Sequence, residues 1–275
     1  MDIIDAHIHF WKLSNNINRW VENAPNQLQK DFSPQNLNAS AFVHIEAHDS
    51  AVDTFKEINW LDREYPATDM RYISCIDYFT DFKIYQTTIQ KLAEHKRVSG
   101  VRQILAHNDH SSYSPLKNSR LPQDFTDKLT LLSTTKMIFE CQMYPQQILN
   151  TLDVIEKSNA TTAIEHMGLP LCQQKKEFSL WQEMIQNVAQ LANIYVKLSG
   201  FFMLDGNTSD DLQRALDYIF TYIPANRICY GSNHPVCNTD NYELWQNTLQ
   251  KLTPKELQGD IFYNTAKALY WPSKP

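Results

Sequence analysis

Short apolar runs alternate along this chain with longer segments in which apolar residues recur every three or four positions. The short runs are rich in Val, Ile and aromatic residues, a composition typical of buried β-strands. They predict strands at 3–9, 41–47, 72–78, 98–105, 137–141, 162–166, 194–198 and 228–231. The longer segments between them predict amphipathic helices.

The clearest helical segment lies between the last two predicted strands. Its apolar residues have the spacing of one helix face. They are Leu212, Ala215, Leu216, Ile219, Phe220 and Ile223. Thr208 with Asp211 forms a weak capping pair at the start of this helix, and Pro224 stops it. A second helix is predicted to begin at Ser179, where Gln182 completes a capping box.

Eight strands, each followed by a helix, predict the (β/α)₈ TIM barrel of the α/β class. The chain has 275 residues, a typical length for that fold, so we expect one domain over residues 1–275. An open doubly wound sheet is the alternative architecture. Glycine is scarce, and four of the six glycines lie near predicted strand ends: Gly100, Gly168, Gly200 and Gly231. These positions indicate the rim loops where barrel enzymes carry their sites.

Composition narrows the class of partner. The net charge is -6, and the lysines and arginines are scattered, which argues against nucleic acid or an anionic membrane as the partner. We therefore expect a small-molecule substrate. The five cysteines are well separated, which suits reduced thiols rather than disulfides. The first predicted strand begins at residue 3, and no apolar run approaches the roughly 20 residues of a membrane span, so we expect a cytoplasmic protein.

His7 and His9 stand two residues apart at the end of the first predicted strand. Because side chains alternate along a strand, both histidines would lie on one face, with Cα atoms roughly 6.6 Å apart. Two imidazoles at that separation can converge on one metal ion, water or substrate oxygen. Asp5 is expected on the same face, one step deeper.

Seven short motifs, in order along the chain, carry a family resemblance. They are DAHIHFW at 5–11, DFSP at 31–34, VHIEA at 43–47, GVR at 100–102, EHMGLP at 165–170, VKLSG at 196–200 and YGSNHPV at 230–236. Together they resemble the amidohydrolase-2 group of the amidohydrolase superfamily, whose members include fuconolactonase and dicarboxypyrone lactonase. The resemblance implies a metal-dependent TIM-barrel hydrolase that opens a lactone, either a sugar lactone or a pyrone-like one.

The resemblance also implies roles for individual residues. His7, His9 and His166 would be catalytic, binding one divalent metal ion such as zinc or polarising the carbonyl. Some relatives work without metal, so either arrangement is open. Arg102 would bind an anionic or hydroxylated part of the substrate, because a guanidinium is a planar fork of donors that suits a carboxylate. The alternative for Arg102 is a structural salt bridge across the rim.

The chain departs from the family pattern at Asn233, where relatives carry an aspartate that binds metal or accepts a proton from water. An amide cannot accept that proton and is a poor zinc ligand. Candidates for the missing role are Glu46, Glu165 and His234, which replaces a tryptophan, and also His166 if it is not a ligand. His234 is in addition a candidate substrate-binding residue. The departure is equally compatible with a barrel that binds a ligand without turnover, or with a decarboxylase-like member of the group.

Other polar and aromatic residues have two interpretations each. We expect Glu165 to point away from His166 and to pair with a helix residue, because neighbours on a strand face opposite ways. Lys197 is either a reactive amine at the substrate or an interior lysine paired with a carboxylate such as Asp5 or Glu46. Trp11 either stacks on the substrate or packs in the core.

His44, Glu46 and His48 alternate along the second predicted strand, so all three are candidates for the barrel interior. His44 would lie deep and is expected to be a hydrogen-bonded core residue. Glu46, at the strand tip, is placed better for chemistry.

Overall fold

Eight parallel strands pair in chain order into one sheet, in a computed structural model that describes residues 2–204, 206–237 and 241–272. The strands are β1 (Ile4–Ile8), β2 (Ala41–Ile45), β3 (Met70–Cys75), β4 (Val98–Ile104), β5 (Ile138–Gln142), β6 (Thr162–Ile164), β7 (Ile194–Leu198) and β8 (Ile228–Tyr230). The predicted (β/α)₈ barrel is confirmed, and the open doubly wound sheet is not formed.

The end of β8 returns to β1 and brings the two ends of the sheet together. The Asn233 N–H donates to His7 O at 2.7 Å, and the His9 N–H donates to His234 O at 2.8 Å. These bonds follow the strand ends, so the residues that they hold in place lie at the carboxyl rim of the barrel. Asn233 and the first-strand histidines are therefore neighbours in space although about 225 positions separate them along the chain.

The helices form the outer layer. They are α1 (Thr54–Glu64), α2 (Phe82–Ala93), α3 (Phe125–Thr135), α4 (Pro145–Ser158), α5 (Lys175–Ala189), α6 (Ser209–Tyr222), α7 (Tyr242–Leu252), α8 (Lys255–Gly259) and α9 (Thr265–Tyr270), with a π-helical turn at Asp260–Asn264. Among the described residues, none of the helices is long and apolar enough to cross a membrane.

The first connection differs from the prediction that a helix follows every strand. Residues 9–40, all described, contain three short 3₁₀ turns and no α-helix. This segment has no helical apolar period, and Pro25 and Pro34 interrupt it. It lies over the carboxyl rim, where it contributes Trp20 and Leu28 to a pocket wall.

The two helix starts predicted from sequence have different outcomes. α6 begins as predicted, because Thr208 Oγ1 accepts from the Asp211 N–H and the Asp211 carboxylate accepts from the Thr208 N–H. The start at Ser179 is wrong, since α5 begins at Lys175. Ser179 Oγ donates to the Lys175 carbonyl one turn earlier, so its hydroxyl is used inside the helix rather than as a cap.

A buried ion pair lies inside the barrel. Lys197 Nζ contacts Glu140 Oε2 at 2.7 Å, and Tyr270 of α9 donates to Glu140 Oε1 at 2.6 Å. All three side chains are almost fully buried. Lys197 is thus paired within the core, as one of the two interpretations predicted, but its partner is Glu140 and not Asp5 or Glu46. The partner was missed because β5 and β7 are not adjacent in the sheet.

Candidate active site

A cavity of about 310 Å³ lies at the carboxyl ends of the strands. Its polar lining consists of His9, Glu46, His48, Arg102, Tyr113, Gln142, His166 and Asn233. The rest of the wall is apolar and consists of Trp20, Leu28, Ala47, Ile104, Met203 and Val236. A larger cavity of about 460 Å³ lies beside α9 at the opposite end and contains none of the predicted site residues. We place the active site in the first cavity, because TIM-barrel enzymes work at the carboxyl rim.

An irregularity in β1 turns the two histidines toward this cavity. Asp5 pairs with Phe42 and Ile8 pairs with His44, so β1 carries one extra residue across that interval. Asp5 accepts from the Ser232 N–H at 2.9 Å and also contacts Tyr242 of α7. The prediction that Asp5 shares the face of His7 and His9 is therefore wrong, because the bulge changes the alternation.

Three imidazoles meet at the floor of the cavity, which His9 and His166 line and His7 underlies. The ring centroid of His7 lies 4.6 Å from that of His166 and 5.3 Å from that of His9. Nδ1 of His9 donates to the Ile45 carbonyl at 2.9 Å, which leaves a lone pair on its Nε2. Neither ring nitrogen of His7 has a hydrogen-bond partner among the described residues, although the side chain is fully buried. Such a nitrogen calls for a ligand that satisfies it.

The end of β6 and the turn after it place both Glu165 and His166 in the site. β6 ends at Ile164, and His166 and Met167 both have positive φ angles, of 52° and 58°. Glu165 has extended backbone and follows the alternation of β6, in which Ala163 packs inside the barrel and Ile164 outside it. Its Oε1 therefore points inward and lies 3.5 Å from Nδ1 of His7, and the left-handed turn brings His166 to the same side. The prediction that Glu165 points to the helix layer is wrong. His166 is held by Ser199, whose hydroxyl lies 3.0 Å from its Nδ1.

Arg102 joins two buried carboxylates across the barrel mouth. Its Nη2 lies 2.7 Å from Glu46 Oε1, and its Nη1 lies 3.2 Å from Glu165 Oε2. Nη1 also contacts Gln142 Oε1 at 3.3 Å. The structural salt bridge that was the alternative for Arg102 is thus present, and the same side chain also lines the cavity.

Burial sets the protonation of these groups. It lowers the pKa of His7 and of His9 well below the usual value, and it lowers the pKa of His166 to about 4. Burial alone raises the pKa of a carboxyl group, but Arg102 and the other neighbouring positive charges hold the pKa of Glu165 below its usual value. At neutral pH the cluster therefore contains three neutral imidazoles and one carboxylate.

This donor set fits a divalent metal ion. One ligand atom from each of His7, Glu165 and His166 lies within 4.8 Å of the others. Two neutral imidazoles and one carboxylate form a known zinc ligand set, and the unsatisfied nitrogens of His7 are consistent with it. The residues predicted as ligands were His7, His9 and His166. Geometry adds Glu165 to that list, whereas His9 is not part of the close cluster.

Three predicted substrate-binding residues do not line the cavity. Trp11 is fully buried against Phe32 and Trp20, and its indole N–H donates to the Lys30 carbonyl at 2.8 Å. His234 is buried between the rings of Phe32 and Tyr242. Lys197 lies in the interior on Glu140. These positions favour packing roles for Trp11 and His234.

His44 and His48 differ although they share one strand face by simple alternation. His44 Nε2 lies 3.4 Å from Glu57 of α1, and its Nδ1 accepts from the Phe10 N–H, so it is a core residue that faces the helices. His48 lies beyond the end of β2 and lines the cavity. Regular alternation ends at Ile45, which is why the two differ.

Sequence reasoning missed two polar wall residues, Tyr113 and Gln142. Gln142 is the last residue of β5, and its amide donates to the Tyr113 hydroxyl at 2.5 Å. Tyr113 belongs to the long connection between β4 and α3, which the Tyr144 hydroxyl holds by donating to the Tyr113 carbonyl at 2.7 Å. The family motif at 100–102 ends before this connection and does not predict these contacts. Gln142 could have been predicted, because it lies at the carboxyl end of a strand.

The order of the motifs and this geometry agree with a comparison against protein families. The model of the amidohydrolase family matches residues 4–271. The chain belongs to the amidohydrolase family. The resemblance to the amidohydrolase-2 group seen in the sequence is thereby confirmed.

Solved amidohydrolase-like structures share the fold of this family member. An amidohydrolase from Burkholderia multivorans, solved with bound zinc, has a TM-score of 0.76 at 17% identity, covering 98% of this chain and 99% of that one. A probable 2-pyrone-4,6-dicarboxylic acid hydrolase from Acinetobacter baumannii, solved with citric acid, has a TM-score of 0.71 at 17% identity, covering 98% and 100%. A 2,6-dihydroxybenzoate decarboxylase from Rhizobium has a TM-score of 0.62 at 11% identity over the full length of both chains.

Asn233, where the resemblance leads us to expect an aspartate, follows the end of β8. It lines the cavity, and its backbone has a φ of 52°. Its side-chain amide contacts Cys237 Sγ at 3.3 Å. In this amidohydrolase the residue at the end of β8 is therefore a hydrogen-bond donor and cannot be a base.

Gly200 tests whether the backbone after β7 positions His166. Its φ is 59°, and a Cβ there would come within 2.6 Å of His166 Cγ. We expect Gly200→Ala to weaken zinc binding in calorimetric titration and to lower the free energy of unfolding by more than the cost of left-handed backbone alone. Gly206→Ala is the control, because Gly206 also has a positive φ of 84° but would meet only the Gln173 side chain. The control should cost about 1–2 kcal/mol and leave zinc binding intact, and equal behaviour of the two variants would contradict this role.

Proposed function

We propose that this amidohydrolase-family protein hydrolyses a lactone, a small-molecule substrate, at the His7–His166–Glu165 cluster. The observation that carries the proposal is the set of three neutral imidazoles and one ionised carboxylate at the floor of a cavity of about 310 Å³. Such a cluster suits hydrolysis at an activated carbonyl, because it can hold both a water and a carbonyl oxygen.

The residues of the site have separate roles in the proposed reaction. His7, Glu165 and His166 are the residues that would hold a divalent metal ion, which when bound polarises a carbonyl and lowers the pKa of water. The Nε2 lone pair of His9 accepts a hydrogen bond from a water or a substrate hydroxyl in the cavity. Arg102 keeps Glu165 ionised and holds Glu46 in place.

Glu46 is the best-placed replacement for the missing aspartate. It lines the cavity, and burial raises its pKa above the usual value, although Arg102 opposes the rise. A carboxylate with a raised pKa is a better proton acceptor near neutral pH than an exposed one. We propose that Glu46 takes the proton from the attacking water. His234 is less suited, because its ring is packed between Phe32 and Tyr242.

A proton-release assay tests the proposal. Ring opening of a lactone produces a carboxylic acid, so wild-type protein should acidify weakly buffered solutions of aldonolactones or pyrone-type lactones faster than buffer alone. His166→Ala should return the rate to background. Acidification that His166→Ala leaves unchanged would place the chemistry elsewhere.

Asn233→Asp measures how much of the family mechanism the chain retains. We expect the variant to raise the turnover of any lactone that the wild type opens, because it restores a proton acceptor at the end of β8. The gain should be smaller than the about 10²–10⁴-fold that a general base is typically worth, because Glu46 already supplies one. The measurement is kcat for the wild type and the variant on the same lactone. A fall in kcat would contradict the expectation.

Binding without turnover is the alternative function, and Asn233 is the observation that favours it. A silent wild type with an active Asn233→Asp variant would identify a barrel that kept its pocket and lost its base. An active wild type would instead establish hydrolysis with a base away from the end of β8.

A further inference from the structure

Among the described residues, the cavity wall has no positively charged side chain that is free of a carboxylate partner. Arg102 is the only lysine or arginine of its lining. Its Nε and Nη2 both contact Glu46, at 2.8 and 2.7 Å, and its Nη1 contacts Glu165 and Gln142.

The charge balance of the wall opposes an anionic substrate. Two carboxylates, those of Glu46 and Glu165, already contact the one guanidinium of the wall. A substrate carboxylate could reach Arg102 only by displacing Glu46, which exchanges one carboxylate for another and leaves Glu46 buried without its partner. It would also compete with the reacting carbonyl for any divalent cation held by the histidines. Binding of an anion therefore brings no net gain in charge pairing.

The remaining wall offers mainly apolar contacts. Leu28, Ile104, Met203 and Val236 line it together with the aromatic Trp20 and Tyr113. The Gln142 amide nitrogen donates to the Tyr113 hydroxyl, and the Asn233 amide nitrogen contacts Cys237 Sγ. The polar atoms left for a substrate are mainly the Nε2 atoms of His9 and His48. A polyhydroxylated substrate would lose hydrogen bonds to water here without replacing them all.

From this lining we infer that the substrate is an uncharged, largely apolar lactone, and neither a dicarboxylate nor a sugar lactone. The inference rests on the proposed lactone hydrolysis and narrows its substrate class. A volume of about 310 Å³ leaves room for one small ring system. Arg102 then acts by positioning Glu46 and Glu165 and does not bind a substrate carboxylate.

Three lactones of similar size test the inference: dihydrocoumarin, dihydrocoumarin with one carboxylate on its aromatic ring, and gluconolactone. We expect kcat/KM for dihydrocoumarin to exceed that of either other lactone by about 10–100-fold, the usual effect of one unpaired buried polar group. Equal or better turnover of the carboxylated lactone or of gluconolactone would overturn the inference while leaving lactone hydrolysis intact.

A lysine introduced into the cavity wall tests the charge argument, with an uncharged substitution at the same position as its control. Val236 lines the cavity and is 41% exposed, so a lysine there can be accommodated. Val236→Lys should raise kcat/KM for the carboxylated lactone relative to dihydrocoumarin about two- to fivefold, as expected for one new ion pair at a partly exposed position. Val236→Met, similar in length and uncharged, should leave that ratio unchanged. A lysine that does not change the ratio would contradict the charge argument.

Binding of the corresponding lactams, which resist ring opening, separates the two hypotheses. Calorimetry should show the uncharged lactam binding more tightly than the carboxylated one. If no lactone is opened but this order holds, hydrolysis fails and the inferred ligand class stands. Tighter binding of the carboxylated lactam, or binding of neither, overturns the inference.

Discussion

Lys197→Met should lower the free energy of unfolding by about 3–5 kcal/mol, the usual cost of removing one partner of a buried ion pair. Without Lys197, the Glu140 carboxylate remains buried, and Tyr270 is its only hydrogen-bond donor among the described residues. Burial already raises the pKa of Glu140 to about 7 with the lysine present. Urea unfolding at pH 7 measures the loss.

The pH dependence of that loss has a definite sign. The pKa of Glu140 in the folded variant lies above its unfolded value, so the folded state binds the extra proton. Stability is therefore retained at low pH and lost as the pH rises through the folded pKa, and Lys197→Met should be closer to the wild type at pH 5 than at pH 8. A loss that is the same at both values would contradict the ion-pair explanation.

The double variant Lys197→Met with Glu140→Leu is the control. It removes both charges, so most of the lost stability should return. It also separates the two interpretations of the lysine. Recovered stability with normal lactone turnover assigns Lys197 to the core, whereas recovered stability with turnover abolished would make it part of the chemistry.

Glu46→Gln should reduce kcat for lactone opening by about 10²–10⁴-fold, the usual contribution of a general base. Glutamine keeps the size and the hydrogen bond to Arg102 but cannot accept a proton. In the wild type, kcat should fall as the pH drops through the raised pKa of Glu46, because protonation removes the base. That acidic limb of the pH profile should be absent in the variant.

Glu57→Gln is the matched control for Glu46. Glu57 is a neighbouring buried glutamate, but it contacts His44 and the Ala47 N–H and does not line the cavity. We expect Glu57→Gln to alter stability and to keep the acidic limb. A Glu46→Gln variant that retained both its rate and its limb would remove Glu46 from the base role.

The strands were predictable from sequence because burial on both faces produces short runs of apolar, β-branched residues. The eight predicted strands all form, and the family motifs at His7, His9 and His166 correctly indicated three imidazoles in one place. Helix α6 was predictable from its apolar periodicity and from its capping box, which lies within the four residues from Thr208 to Asp211. These features depend on neighbours in sequence.

The errors arise where a local irregularity breaks strand alternation. The bulge in β1 puts Asp5 and the two histidines on different faces, and the left-handed turn at His166 puts that imidazole on the same side as Glu165. Neither irregularity has a sequence signal of its own, since both occur at non-glycine residues. One extra or missing residue in a strand reverses the facing of everything after it.

Long-range pairing was the other limit. The partner of Lys197 lies on β5, two strands away in the sheet, so sequence order did not reveal it. Trp20 lines the cavity while Trp11 packs beneath it, because a connection without helical period places both. Which residues meet in these cases depends on the assembled barrel, and the sequence of one segment does not determine it.

The mass of the product tests the central claim, hydrolysis of a lactone, most directly. Wild-type protein would be incubated separately with dihydrocoumarin and with 2,6-dihydroxybenzoate, and each product examined by mass spectrometry. The account predicts that the lactone gains the mass of one water and that the benzoate is unchanged. Loss of carbon dioxide from the benzoate, with the lactone intact, would contradict it and assign the site to decarboxylation.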